Sequence, residues 1–303
     1  MAEVVYIVND TGFHHNALRA TMPRNVAETL ESHRSMSTLT SPDSPFQQTA
    51  DAVAARLVRA RLAGLSLPDF PGPLPADLEA GYACQNAAIG RWPDAIAGWK
   101  VGYIAPERRD SDGDDRLVGP IFSRAVWLAR AGETLEFPVF VGGFAAVEAE
   151  YVFRLGQDAE PGKSDWTATE AAELVSALHI GVETAGSPLA SINVLGPAVV
   201  VSDFGNNAGL IMGPEIPGWR ACKESDLVCE TLIEGVSVGL GGAGSVPGGL
   251  LAALAFALNR CARRGLALKS GCLVTTGAAT GIHDIRAGQQ ARITFGAWGA
   301  IDC

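Results

Sequence analysis

The chain has 303 residues, of which 48% are apolar and 18% charged, and a formal charge of −10. That is room for one large domain or two modest ones. The negative field argues against nucleic acid and anionic membrane surfaces as partners, but leaves acid substrates open where a bound cation reverses the sign locally. The six cysteines form no C-x-x-C pair and read as the reduced thiols of a cytoplasmic protein. The longest apolar stretch, residues 250–258, is far short of the ~20 residues a membrane span needs. The first residues lack the charged start and apolar run of a signal peptide.

Residues 1–45 hold three of the five histidines, a Ser/Thr run and no sustained periodicity. They read as an N-terminal extension, open to disorder. Residues 46–96 read as a small helical region. Ala50, Val53, Ala54, Leu57 and Val58 recur at helical spacing over 47–64, with Gly64 as the stop. A proline-rich link follows, then a second helix is expected over 75–90 with Asp77 in its first turn. Residues 97–303 read as a sheet-rich catalytic region. Its strand-like runs are GWKVGYI, AVWLA, ETLEFP, AAVEAEYVFRL, HIGVE, PAVVVSD, LVCETLIEGVSVGL, CLVTTGA and QARITFGAWGAI. The acidic stretch over 110–122 reads as a mobile loop. A helix is expected over 167–178, opened by the Thr167 and Glu170 capping box. Another is expected over 249–264, closed by an Arg-rich end and Gly265. Residues 239–244, GLGGAG, match G-x-G-x-x-G literally. No acidic residue follows where a ribose would need one, so the dinucleotide-binding reading is weak.

The sharpest chemical signal is Glu148-x-Glu150 inside a β-branched, aromatic run. On a strand, residues two apart share a face, so these carboxylates project together, and two such charges repel without a cation between them. Glu-x-Glu is also common on solvated strand faces, but here the flanks are small and apolar. A third carboxylate, Glu183, ends the apolar run LHIGV, where burying it unpartnered is costly. Hard oxygen ligands suit Mg²⁺, Mn²⁺ or Ca²⁺. The remaining coordination positions suit the C1 carboxylate and C2 oxygen of a 2-oxo acid.

These segments, in order, resemble the 2-keto-4-pentenoate hydratase and 4-oxalocrotonate decarboxylase group of the fumarylacetoacetate hydrolase superfamily. The matching pieces are YACQ at 82–85, GWKVG at 98–102, VEAE at 147–150 and IGVE at 180–183, then SDFGNNAG at 202–209, TTG at 275–277 and FG at 295–296. The resemblance implies an α+β fold: a mixed, twisted β-sheet roll with flanking helices behind a small helical N-terminal region. It implies Glu148, Glu150 and Glu183 as ligands of Mg²⁺ (or Mn²⁺), Lys100 as the active-site lysine, and Asp203, Asn207, Thr276 and Gly277 near the substrate. Strand alternation alone leaves the direction of Lys100 open. Within the site its ammonium would hold a carboxylate, or move protons if burial lowers its pKa. His179 reads as a core residue and His283 as a pocket-rim residue. Arg108, Arg109 and Arg116 are available for a second substrate carboxylate.

The leading expectation is a hydro-lyase that adds water to a 2-hydroxy-2,4-dienoate in aromatic catabolism, giving a 4-hydroxy-2-oxo acid. The alternatives are decarboxylation of a 4-oxalocrotonate-type diacid, C–C hydrolysis of an acylpyruvate, and an inactive subunit supporting a related enzyme. The expected partners are a small 2-oxo acid, further copies of the chain in a homo-oligomer, and a related pathway enzyme.

Overall fold

The computed structural model describes residues 45–111 and 113–303; apart from Pro45, the extension expected over 1–45 lies outside them. Helix α1 (Pro45–Ala63) buries Ala50, Val53, Ala54, Leu57 and Val58, the positions picked out by helical spacing. Helix α2 (Leu78–Ile89) starts later than expected because Asp77 is its N-cap, and the Asp77 side chain accepts a hydrogen bond from Ala80 N.

A mixed sheet follows. Strand β1 (Ile96–Tyr103) pairs antiparallel with β2 (Arg116–Phe122) along its whole length. The second half of the expected mobile loop is therefore a strand, with all seven residues buried. Its acidic lead-in masked the apolar run Leu117, Val118, Ile121 and Phe122. Next come β3 (Val126–Leu128) and the long β4 (Phe144–Leu155); ETLEFP between them forms no strand beyond one bridge from Thr134 to Asp302.

Helix α3 (Ala168–Glu173) opens with the expected capping box but stops after six residues. Leu174 ends it, and strand β5 (Val175–Ser187) takes over the remainder of the expected helix. Pairing with β4 outweighs helix propensity there, since the two strands run side by side from Phe144 opposite Ser187 to Leu155 opposite Val175. Two short helices, α4 (Ile192–Leu195) and α5 (Pro197–Ser202), replace the strand expected at PAVVVSD. Pro197 at the first helical position sets this start, and Gln85 pins the other end by donating to Val201 O at 2.9 Å. Strand β6 (Asn207–Glu215) completes this part.

Strands β7 (Val228–Ile233) and β8 (Val236–Gly242) form a hairpin, α6 (Leu250–Arg263) follows, and β9 (Leu273–Thr275), β10 (His283–Asp284), β11 (Ala291–Thr294) and β12 (Ala300–Asp302) close the chain. The main sheet has the order β2-β1-β9-β4-β5-β6-β3, with β10 on β4, and the second has the order β12-β11-β7-β8. The β1–β9 and β3–β6 pairs are parallel and the others antiparallel, the mixed α+β architecture expected. The GLGG of the motif is the end of edge strand β8, antiparallel to β7, and Ala243 and Gly244 open the short turn after it, outside any βαβ unit. A continuous core joins Val53, Leu57 and Tyr82 of the helices to Val101, Phe153 and Leu254, and no described helix is long and apolar enough to cross a membrane.

Candidate metal centre and substrate cleft

The β4–β5 pair builds the acidic cluster. Glu148 lies directly opposite Glu183, and Glu150, two residues along the same face, lies opposite Gly181. One oxygen from each of the three carboxylates lies within 4.8 Å of the others. All three residues are buried, Glu150 and Glu183 completely. Like charges placed opposite one another on paired strands repel, and burial removes the water that would screen them.

Two of the three carboxylates are held from behind. Glu150 Oε2 accepts from Thr276 N at 3.0 Å and from Gly277 N at 2.7 Å. Gly277 takes a φ of +111°, a left-handed backbone open to glycine, at the point where the chain turns in after β9. Glu183 Oε1 accepts from Asn207 Nδ2 at 3.0 Å and lies 3.3 Å from Lys100 Nζ. In front, Glu148 Oε1, Glu150 Oε1 and Glu183 Oε2 are buried without a hydrogen-bond partner among the described residues. Three orphaned carboxylate oxygens, in a group that has no histidine or cysteine, fit a hard divalent cation.

The charges register the same crowding. Burial, against the pull of Lys100 and with the push of Glu183, raises the Glu148 carboxyl to about 8. Burial likewise raises Glu183 and, with help from both neighbouring carboxylates, Glu150. Lys100 moves opposite to the expectation of a burial-lowered base. Burial does disfavour its ammonium, but Glu183, Glu148 and Glu150 together outweigh that and raise its pKa.

Lys100 comes from β1, which reaches β4 through the intervening β9. Its Nζ donates to Asn206 Oδ1 at 2.9 Å. Asn206 ends a tight turn in which Phe204, Gly205 and Asn206 all take left-handed φ values of 58°, 65° and 56°. For Phe204 such a backbone is strained, by about 1–3 kcal/mol, and only surrounding structure keeps it. Phe204 packs edge-on against both Trp92 and Phe122, with ring centroids at 5.4 and 5.0 Å. A cleft of about 300 Å³ opens over this corner, lined by Lys100, Glu148, Asn206, Asn193, Arg108 and Ile282 among others.

The structure sorts the other predicted residues. Asn207, Thr276 and Gly277 stand behind the carboxylates and orient them, and they are absent from the cleft lining. Asp203 is buried away from the cleft in a bidentate ion pair with Arg61, its carboxylate also accepting from Ser187 Oγ. Arg61 further donates to Asn207 O and Gly186 O, so this pair braces the loop that carries Asn206 and Asn207. His283 hydrogen-bonds Thr280, next to the lining residue Ile282, and His179 hydrogen-bonds Gly213 O. Of the three arginines, Arg108 reaches the cleft, while Arg116 turns to Asp115 and Pro247 O, and Arg109 to Ile104 O and Tyr103. Sequence reasoning missed Asn206 and Asn193. Asn206 sat in view as half of the Asn206-Asn207 pair, with Gly205 before it the signal for an unusual turn.

No family model matches the chain. A 4-oxalocrotonate decarboxylase from Pseudomonas sp is 25% identical over 245 residues, covering 79% of this chain and 91% of that protein. The likeness thus spans all the segments that build the carboxylate cluster and the lysine. The chain thus resembles the fumarylacetoacetate hydrolase superfamily in sequence and in fold. Among solved structures of this superfamily's fold, 4-oxalocrotonate decarboxylase from Pseudomonas putida G7, complexed with magnesium and adipate, has a TM-score of 0.69 at 17% identity. That match covers 84% of this chain and 97% of the other. Fumarylpyruvate hydrolase from Pseudomonas aeruginosa, in complex with Mn²⁺ and pyruvate, has a TM-score of 0.50 at 19% identity over 67% of this chain and 86% of its own. These two likenesses show the fold; at such identity they carry no assignment of the reaction.

Proposed function

We propose that the protein is a divalent-metal-dependent decarboxylase of a 2-oxo diacid of the 4-oxalocrotonate type. The observation that carries this reading is Arg108 in the wall of the cleft that also holds Lys100 and Glu148. A guanidinium there suits a second carboxylate at the far end of a substrate, and adipate, bound by the Pseudomonas putida decarboxylase, is such a six-carbon diacid. A cation bound by Glu148, Glu150 and Glu183, with Mg²⁺ preferred, would supply positive charge beside the substrate's C1 carboxylate and C2 oxygen. Asn207, Thr276 and Gly277 then serve by holding the carboxylates in place, and Lys100 Nζ, braced by Asn206 and Glu183, is the proton-carrying group beside them. In the reaction the C5–C6 bond breaks and CO₂ leaves. The electron pair passes through the conjugated system to the C2 oxygen, which takes a proton, giving 2-hydroxypenta-2,4-dienoate.

Hydration of that same dienoate, the leading expectation from sequence, needs the cluster and the lysine but has no distal carboxylate for Arg108. The two readings separate in a spectrophotometric assay with Mg²⁺ or chelator. For the decarboxylase, wild type consumes 4-oxalocrotonate and releases CO₂, Glu148→Gln abolishes turnover, and Arg108→Met raises KM about 10–100-fold through loss of a charge-assisted hydrogen bond. Turnover of 2-hydroxypenta-2,4-dienoate alone, indifferent to Arg108→Met, would overturn the decarboxylase in favour of the hydratase.

A further inference from the structure

Four cleft residues are joined end to end. Lys100 Nζ donates to Asn206 Oδ1 at 2.9 Å, and Asn206 Nδ2 donates to Asn193 Oδ1 at 3.1 Å. The main-chain carbonyl of Asn193 accepts from Arg108 Nη2 at 2.7 Å, and Val194 O accepts from the same nitrogen at 3.2 Å. The chain of contacts runs from Lys100, beside the carboxylate cluster, to the Arg108 guanidinium, and all four residues line the cleft.

Its middle is built to transmit. An amide has one accepting and one donating end. Asn206 uses both, toward an ammonium that can only donate and toward the Asn193 oxygen. Rotation of the Asn206 amide would set two donors against each other at Lys100, so its orientation is locked by its neighbours. Its backbone is locked as well. Gly205 lies against the Lys100 stem, where a Cβ would come within 3.3 Å of Lys100 Cδ and 3.1 Å of Gly119 Cα. Asn193 sits on the single turn of α4, whose carbonyls at 193 and 194 hold Arg108. Displacing Arg108 therefore pulls on the turn that fixes Asn206.

We infer that Asn193 and Asn206 are positioning residues that couple Arg108 to Lys100, so that engagement of a distal substrate carboxylate and placement of the lysine ammonium are one linked event. This rests on the diacid reading above, and goes beyond it in making the distal contact a condition on the proximal one. A substrate lacking the second carboxylate would fit the cluster yet leave Lys100 less well placed.

The test is a double-mutant cycle read by calorimetric binding to the Mg²⁺-loaded protein. The ligands are adipate, which has the distal carboxylate, and pyruvate, which lacks it. The variants are Arg108→Met, Asn206→Gly and their combination; glycine keeps the left-handed backbone and removes only the amide. Asn193→Ala, partly exposed on its turn, cuts the link while leaving its carbonyl to Arg108. Coupling predicts that the adipate cycle is non-additive by about threefold or more, that the pyruvate cycle is additive, and that Asn193→Ala returns the adipate cycle to additivity. Adipate binding by wild type with additive cycles throughout would overturn the coupling and leave the diacid reading standing. Failure of wild type to bind adipate while binding pyruvate would overturn both. If Asn206→Gly fails to fold, the Arg108→Met and Asn193→Ala cycle decides by the same criterion.

Discussion

The three carboxylates ask more of their surroundings than any other residues here. Each is buried, each is pushed toward its neutral form, and each keeps one oxygen without a protein partner. Without a cation, Glu148 with its value of about 8 holds a proton at neutral pH. A divalent ion must displace it. Mg²⁺ affinity is therefore expected to rise with pH through the neutral range, with proton release on binding at pH 7. Calorimetry in two buffers of different ionisation enthalpy measures that release; uptake that is independent of pH between 6 and 8 would contradict it. The Glu148 and Glu150 pairing was legible in the sequence because strand alternation with period two puts them on one face. The direction of Lys100 was not, because its placement comes from β9 slotting between β1 and β4, a contact between segments some 175 residues apart. Asp203 misled for a related reason. An acidic residue beside Asn206 and Asn207 looks like chemistry, and only the fold shows Arg61 of α1 arriving to neutralise it.

At the scale of elements, helix ends were read more securely than helix lengths. The Thr167 capping box is present in full, with Thr167 Oγ1 accepting from Glu170 N and Glu170 Oε2 accepting from Thr167 N. The helix it opens is nevertheless half the expected length, since β5 claims its second half. Caps are set by neighbours three residues away, whereas lengths depend on what else can pair with the segment. The Lys163 ammonium and the Thr167 N–H and hydroxyl hold Glu170 down to about 2, below its ordinary 4.5. Because the folded value is depressed, this contribution is in place above pH 4.5 and lost as the pH falls toward 2. Thr167→Ala is expected to cost about 1 kcal/mol in urea unfolding at pH 7, with Mg²⁺ affinity unchanged because the side chains and carbonyls of α3 bond Lys163, Gln157 and Arg220, away from the residues that hold the carboxylates. A loss of metal affinity in that variant would show that α3 supports β5 more closely than its contacts indicate. The three valines of PAVVVSD misread as a strand through β-branching, where Pro197 and the α2 contact decide for a helix.

For the whole molecule, the cluster ties function to stability. The orphaned oxygens lie between the two central strands of the main sheet, so an ion that satisfies them favours the folded state. At a hundredfold excess over Kd, Mg²⁺ is expected to stabilise the protein by about 2.7 kcal/mol, seen as a rise in Tm that chelator reverses and Glu150→Gln abolishes. An unchanged Tm at saturating Mg²⁺ would argue that the cluster holds no ion. The parallel β1–β9 pair has a consequence for biosynthesis. Strands β4 and β5 pair across a connection over residues 156–174 that carries α3, so the carboxylates can meet while the chain is still being made. Gly98 and Trp99 find their places beside Leu273 and Val274 only once those last strands have left the ribosome. The acidic trio thus pairs before Lys100, although made earlier, is fixed beside it through β9, and a nascent or truncated chain ending short of residue 273 would carry the ligands for an ion with the lysine not yet held in place.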